Sequence, residues 1–188
     1  MRLRFTLLAM LWAASVASAQ EKVGELAGQV PLLLRVLAYD QNFEARGLGD
    51  FVVLVVSDAP GAAARKTLVE ALKDLPAQKI RNRTVKFAQG DAKDEATVQL
   101  ELERSKAQAV LVMPGTADPV VKAVSEVIQD NQVYGLALDA TMVEHAIPLG
   151  VSSVQGKPLI HINEKAAKGV GARFEVSVLK LMKVVGER

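Results

Sequence analysis

FVVLVVSDAPGAAARKTLVEALKDL, residues 51–75, decides the class of fold. It opens with an unbroken apolar and mostly β-branched run, the pattern of a strand buried on both faces and hence of a central parallel strand. The polar turn Ser57-Asp58-Ala59-Pro60-Gly61 ends that run, and Ala64, Leu68, Ala71, Leu72 and Leu75 then recur at helical spacing. Strand, polar turn and helix make the start of a doubly wound α/β unit.

The same alternation continues downstream. AVLVM (Ala109 to Met113) and VYGLAL (Val133 to Leu138) read as two more buried strands, separated by a Pro- and Gly-bearing turn and a helix carrying Val120, Val121, Val124 and Ile128. Lys79, Arg81 and Arg83 lie two apart, and Val85 and Phe87 alternate after them. This predicts a strand near the sheet edge whose cations face water and discourage edge pairing, with a basic ligand patch as the alternative. Asp91 to Ser105 is assigned to a helix by its Glu, Gln, Leu and Ala content and its Asp-led start, although Val98, Leu100 and Leu102 alternate.

After a turn or two of helix at ATMVEH, with His145 at its exposed end, Ile147 to Ser153 and Lys157 to Ile162 predict a hairpin turning at Gln155-Gly156. His161 falls on one face of the second hairpin strand as a structural histidine. Beyond Asn163, a turn or cap residue, the apolar positions Phe174, Val178, Leu181 or Met182, and Val185 predict a long closing helix with Lys180 and Lys183 opposite. Toward the N-terminus, Pro31 is placed in the first turn of a helix running to Asn42, because a first turn tolerates proline.

The architecture expected is thus a three-layer α/β sandwich. It has a mainly parallel sheet with helices on both faces, a C-terminal antiparallel hairpin and a closing helix. Residues 31–188 form the single domain, and residues 20–30, polar and Gly-interrupted, form a flexible N-terminal segment. Residues 1–19 read as a cleavable signal peptide: Arg2 and Arg4 precede an apolar run, and Ala17-Ser18-Ala19 supplies the cleavage site. The expected location is the periplasm.

Composition narrows the function classes. Removal of Arg2 and Arg4 leaves 21 basic residues against 21 acidic ones, which argues against nucleic acid as a partner. There is no cysteine and there are only two histidines, so no disulfide framework, thiol nucleophile or His-rich metal site is expected. No cofactor is expected either.

In an open parallel sheet, ligands gather outside the carboxyl ends of the strands. Three loops leave buried strands there, and they nominate Ser57, Asp58, Gly61, Gly115, Thr116 and Asp139 as ligand- or partner-binding candidates. Helix capping is the competing role for Ser57, Asp58, Thr116 and Asp118. Asp58, Asp118 and Asp139 are possible acid/base carboxylates, but no nucleophile elbow, H-E-x-x-H helix or phosphate loop accompanies them. No catalytic residue is assigned, and the chain is read as a non-enzyme.

An ordered set of motifs resembles a family. PLLLRVLAYD, VVSDAPG, AVLVMPG and LALD are followed by a strand ending Ile162-Asn163, a short Ala- and Lys-bearing helix, and the pattern F-x-x-x-x-L-K-L-x-K-V from Phe174 to Val184. Together these are similar to the YfiR-like periplasmic proteins over most of the chain. The resemblance implies an exported, non-enzymatic regulator that restrains a membrane diguanylate cyclase by binding its periplasmic domain. It thereby implies control of cyclic di-GMP and biofilm output, with a membrane sensor as a related target and a homodimer as an expected assembly. Asn163, Phe174, Leu179 and Leu181 are its structural motif residues. The chain departs from the family in having no cysteine for redox control and in carrying Glu144-His145-Ala146 where relatives often have glycines. A periplasmic small-molecule binding protein using the strand-end crevice is the alternative reading.

Overall fold

Residues 23–186 are described by the structure, a computed structural model. The signal peptide predicted over residues 1–19 and the first residues of the predicted flexible segment, 20–22, lie outside the described residues. The strands are β1 (Phe51–Ser57), β2 (Lys79–Ile80), β3 (Arg83–Asp91), β4 (Ala109–Val112), β5 (Tyr134–Ala137), β6 (Leu149–Val154), β7 (Lys157–Ile162) and β8 (Lys183–Val184). They form one sheet in the order β2-β3-β1-β4-β5-β6-β7-β8. Pairing is antiparallel for β2 with β3 and for β6 with β7, and parallel elsewhere. The chain runs from β1 outward to β3 and returns past it to β4, so the topological switch point lies between β1 and β4.

The helices are α1 (residues 23–37), α2 (Ala62–Asp74), α3 (Glu95–Ser105), α4 (Asp118–Asp130), α5 (Thr141–Glu144), α6 (Glu164–Gly169) and α7 (Val176–Leu179). They cover both faces of the sheet, as alternation along β3 makes clear. Val85 and Phe87 line a shallow pocket with Leu72 and Leu75 at the end of α2. A Cβ at Gly90 would instead sit 2.9 Å from Glu101 of α3. Odd positions of β3 thus face α2 and even positions face α3. The predicted α/β sandwich with its antiparallel hairpin is the observed fold, and the hairpin turns at Gln155 and Gly156, both with positive φ.

Four expectations are corrected. Residues 23–30, predicted to be flexible, are helical, with Val23, Ala27 and Val30 buried. Pro31 therefore lies inside α1 and not in a first turn. An interior proline costs about 3 kcal/mol. Burial of Val23, Val30, Leu33, Leu34 and Leu37, at roughly 1.5 kcal/mol or more each, outweighs that. The predicted helix also ends at residue 37 and not at Asn42.

The basic run of Lys79, Arg81 and Arg83 is not a row of solvated cations. Arg83 is buried, donates Nε to the Gly49 carbonyl at 2.9 Å and Nη2 to the Asp50 carbonyl at 3.0 Å, and lies over the Phe51 ring. Arg81 donates to the carbonyls of Ala38 and Asp40, both at 3.0 Å. The two arginines are multidentate donors to loop carbonyls, a role that spacing alone does not reveal, whereas Lys79 is exposed as expected.

The closing helix is one turn, not three. Its apolar pattern is divided between α7 and β8, which adds an eighth strand through the pairs His161 with Lys183 and Ile162 with Val184. Phe174 and Val178 are buried, Leu179 is partly buried, and Leu181 is 79% exposed. Leu181 is therefore not a core residue.

Two substitutions separate these roles. Phe174→Ala should lower unfolding free energy in urea by about 3 kcal/mol, the cost of a buried aromatic truncation. Leu181→Ser should change it by less than about 0.5 kcal/mol.

Candidate functional site

The expected binding region is the carboxyl end of β1 and β4, and the sequence does bring its residues there. Ser57 closes β1, and Gly61 immediately precedes α2. Gly115, with φ +79°, lets the chain turn after β4, and Thr116 follows it. Their polar atoms are engaged by neighbouring backbone groups. The Asp58 carboxylate accepts from Gly61 N at 3.3 Å and reaches across the switch point to accept from Ala117 N at 3.1 Å. Thr116 donates its hydroxyl to the Met113 carbonyl at 2.8 Å, and Ser57 donates to the Asp58 carbonyl at 3.0 Å. Gly61 is packed so closely that a Cβ there would lie 2.8 Å from Ser57 Cβ.

Arg65 completes this arrangement, and nothing in its helical pattern announced it. The side chain is buried. Its Nη1 donates to both Ser57 oxygens at 3.1 and 3.2 Å, and its Nη2 pairs with Asp91 at 2.6 Å. The cation thereby ties the ends of β1 and β3 to α2. Its role could have been suspected only from its position one turn into the helix that follows the central strand.

Asp139 lies at the end of the β5 unit and accepts from Thr141 N at 2.9 Å and Thr141 Oγ1 at 2.8 Å. Asp118 is 81% exposed at the start of α4 and stands 3.7 Å from His145 Nε2. The three carboxylates are thus engaged at separate turns. Among the described residues, no group of three or more His, Asp or Glu side chains is placed to hold a metal.

A cleft of about 1070 Å³ lies elsewhere, bounded by α6, by Gln129 of α4, by Glu144 of α5 and Ala146 after it, and by Val184, Val185 and Gly186 of the C-terminal tail. Asn163 is the sequence-nominated residue on its wall. Its Oδ1 caps α6 by accepting from Ala166 N at 2.9 Å, and its Nδ2 donates to the Val143 carbonyl at 3.1 Å. Beside this cleft, on the hairpin, His161 is buried, and its Nε2 lies 2.8 Å from Ser152 Oγ. No helix among the described residues is long and apolar enough to cross a membrane.

The fold has counterparts among solved structures. The chain is similar to a conserved domain protein from Vibrio cholerae (TM-score 0.61, 16% identity), covering 86% of this chain and 60% of that one. It is also similar to a Streptococcus pneumoniae ABC domain solved in complex with L-Trp (TM-score 0.53, 16% identity), covering 72% of this chain and 56% of that one. The chain therefore spans little more than half the length of either, and at this identity the likeness is one of fold. No family model matches the chain, and no curated protein does.

If Asp58 serves the architecture, Asp58→Ala should destabilise the protein by about 1 to 2 kcal/mol in urea, through loss of the bonds to Gly61 N and Ala117 N. The midpoint should move without a change in slope.

Proposed function

We propose that this protein is an exported, non-enzymatic binding module whose C-terminal face docks on the periplasmic part of a membrane protein and regulates its signalling output. The observation that carries this reading is the composition of residues 176–184. Val176 is 67% exposed, Leu181 79% and Val184 39%, within one short stretch that also presents Lys180 and Lys183 to solvent. Exposed aliphatic side chains concentrated in this way mark an interaction surface more often than a monomer's bare exterior. The wider segment 156–186 carries Lys157, Lys165, Lys168, Arg173, Lys180 and Lys183 against Glu164 and Glu175, a net +4. Within it only Lys168 has an ion-pair partner among the described residues, Glu164. A basic rim around aliphatic contacts suits a partner surface that is acidic at its edge and apolar at its centre.

The resemblance to YfiR-like proteins supplies the expected target, the periplasmic domain of a diguanylate cyclase, and the expected consequence, repression of cyclic di-GMP output. The cleavable signal peptide read over residues 1–19 makes the periplasm the expected location. Small-molecule binding ranks second. It is favoured by the fold shared with a domain that carries L-Trp, but the strand-end polar groups that would recognise a solute are engaged by neighbouring backbone groups.

A photo-crosslinking residue placed at position 181 should give an adduct with one integral membrane protein in the producing cells, and the same residue at the exposed Leu48 should give none. Leu181→Glu should raise cyclic di-GMP as gene deletion does, while leaving the purified protein folded. Absence of an adduct at 181, or equal labelling at 48, contradicts the docking face. An adduct without any cyclic di-GMP change contradicts the cyclase as its target.

A further inference from the structure

Strand β8 is held to the sheet by little. It is two residues long, both exposed, and it continues into a backbone bond from Val185 N to the Ile162 carbonyl at 2.8 Å. Within the tail leading to it only Phe174 and Val178 are buried, while Leu179 and Met182 are partly so. Elements with so few buried contacts open locally, at a free energy well below that of global unfolding.

The residue facing this strand from β7 is a titratable one. His161 pairs in register with Lys183 of β8 on one side and Gly150 of β6 on the other. Its ring is 5% exposed, and the hydroxyl of Ser152 is its hydrogen-bond partner. Directly opposite, Gly150 packs under Val143 of α5. The charges around this corner offer the ring no counter-ion. Lys183 faces it from β8, and Ser152 on β6 is neutral. Glu144 of α5 and Glu164 of α6 line the cleft, with Glu164 paired to Lys168. Among the described residues, no carboxylate lies within ion-pair distance of the ring, whereas the other histidine, His145, has Asp118.

We infer that His161 is a proton-operated latch for β8: protonation of its ring releases the strand from β7 and removes one wall of the C-terminal cleft. An imidazolium held beside Lys183 is repelled by a like charge in a site with little water, and it becomes comfortable when the strand leaves and solvent enters. Burial, and secondly the Lys183 charge, holds the attached His161 below its ordinary value of 6.5. The sign follows from linkage. The detached state binds the proton more readily, so attachment is complete above about pH 6.5 and weakens as pH falls below it. Val184, Val185 and Gly186 line the cleft, so the same proton controls whether that cleft is enclosed. The latch stands on the sheet edge itself and does not depend on the identity of any partner.

Amide hydrogen exchange on the whole chain tests it, read as protection factors corrected for intrinsic rates. Between pH 7.5 and pH 5.0 the Val185 amide should lose protection by about tenfold or more, while Val55 and Leu111 in the central strands keep theirs. His161→Asn should keep Val185 equally protected at both pH values. Lys183→Met, which leaves the histidine in place, should reduce the size of the pH effect. The inference is overturned if Val185 protection is the same at both pH values in the wild type. It is equally overturned if protection falls as much in His161→Asn, or falls only together with the central-strand amides.

Discussion

A single buried carboxylate holds the turn after α1 and the segment before α7 to the sheet. Asp40 has no exposure, and an unpartnered charge there would cost several kcal/mol. Instead it accepts from the Tyr134 hydroxyl, from Arg173 N at 2.6 Å and from Asn42 N at 3.0 Å, with Arg46 Nε 3.5 Å away. Those partners belong to the start of β5, the segment before α7, and the turn after α1. Burial, and then the bond to Asp40, raises the Tyr134 phenol far above its ordinary range, so it remains a donor at every physiological pH. Arg46 lies 4.0 Å over the Tyr134 ring and donates to the Val170 carbonyl at 2.6 Å. The Phe43 ring, stacked on both Phe51 and Tyr134, fills the space beneath. A buried network of this kind favours one arrangement of its elements, even though Arg46 Nε, within ion-pair distance of Asp40, makes no hydrogen bond.

The position of the node bears on function. It sits where β5 begins, and so at the opposite end of the parallel strands from the crevice at which an open sheet of this topology ordinarily recruits a ligand. That crevice is also occupied from within: Asp58 bridges the switch point, and Arg65 binds the ends of β1 and β3. Both ends of the sheet are thereby committed to holding the fold. What the chain leaves unspent lies on its C-terminal side, in the exposed aliphatic and basic residues around β8 and the cleft behind them. The binding proposal and the histidine latch both arise from that difference.

Much of the fold was legible because it is written locally. Continuous apolar runs at β1 and β4, helical spacing in α2 and α4, and the Gln155-Gly156 turn each carry their own signal. What could not be read depends on contacts distant in sequence. Tyr134 and Asp40 are 94 residues apart, and Arg173 lies 133 residues from Asp40, so no window of sequence contains the node. Arg83 looked solvated because the carbonyls that receive it belong to a separate loop. The beginning of α1 was hidden by Gly24, Gly28 and Pro31, each of which disfavours a helix that tertiary burial nonetheless stabilises. In the tail, positions 174, 178, 181 and 185 fit a helical period, yet only Val178 of these lies in α7, and Leu181 shows that an apolar period need not be a buried one. The candidate site residues lie at the strand ends, and the backbone groups that engage them there are a matter of geometry that residue types do not disclose.

The Asp40 carboxylate binds the turn after α1 and the segment before α7 to β5 as one energetic unit. A double-mutant cycle between Asp40→Asn and Tyr134→Phe, measured by urea unfolding, tests it most directly. The account predicts a coupling energy of about 1.5 kcal/mol or more, as expected for a buried charge-assisted hydrogen bond. Additive effects, with a coupling below about 0.5 kcal/mol, would contradict it.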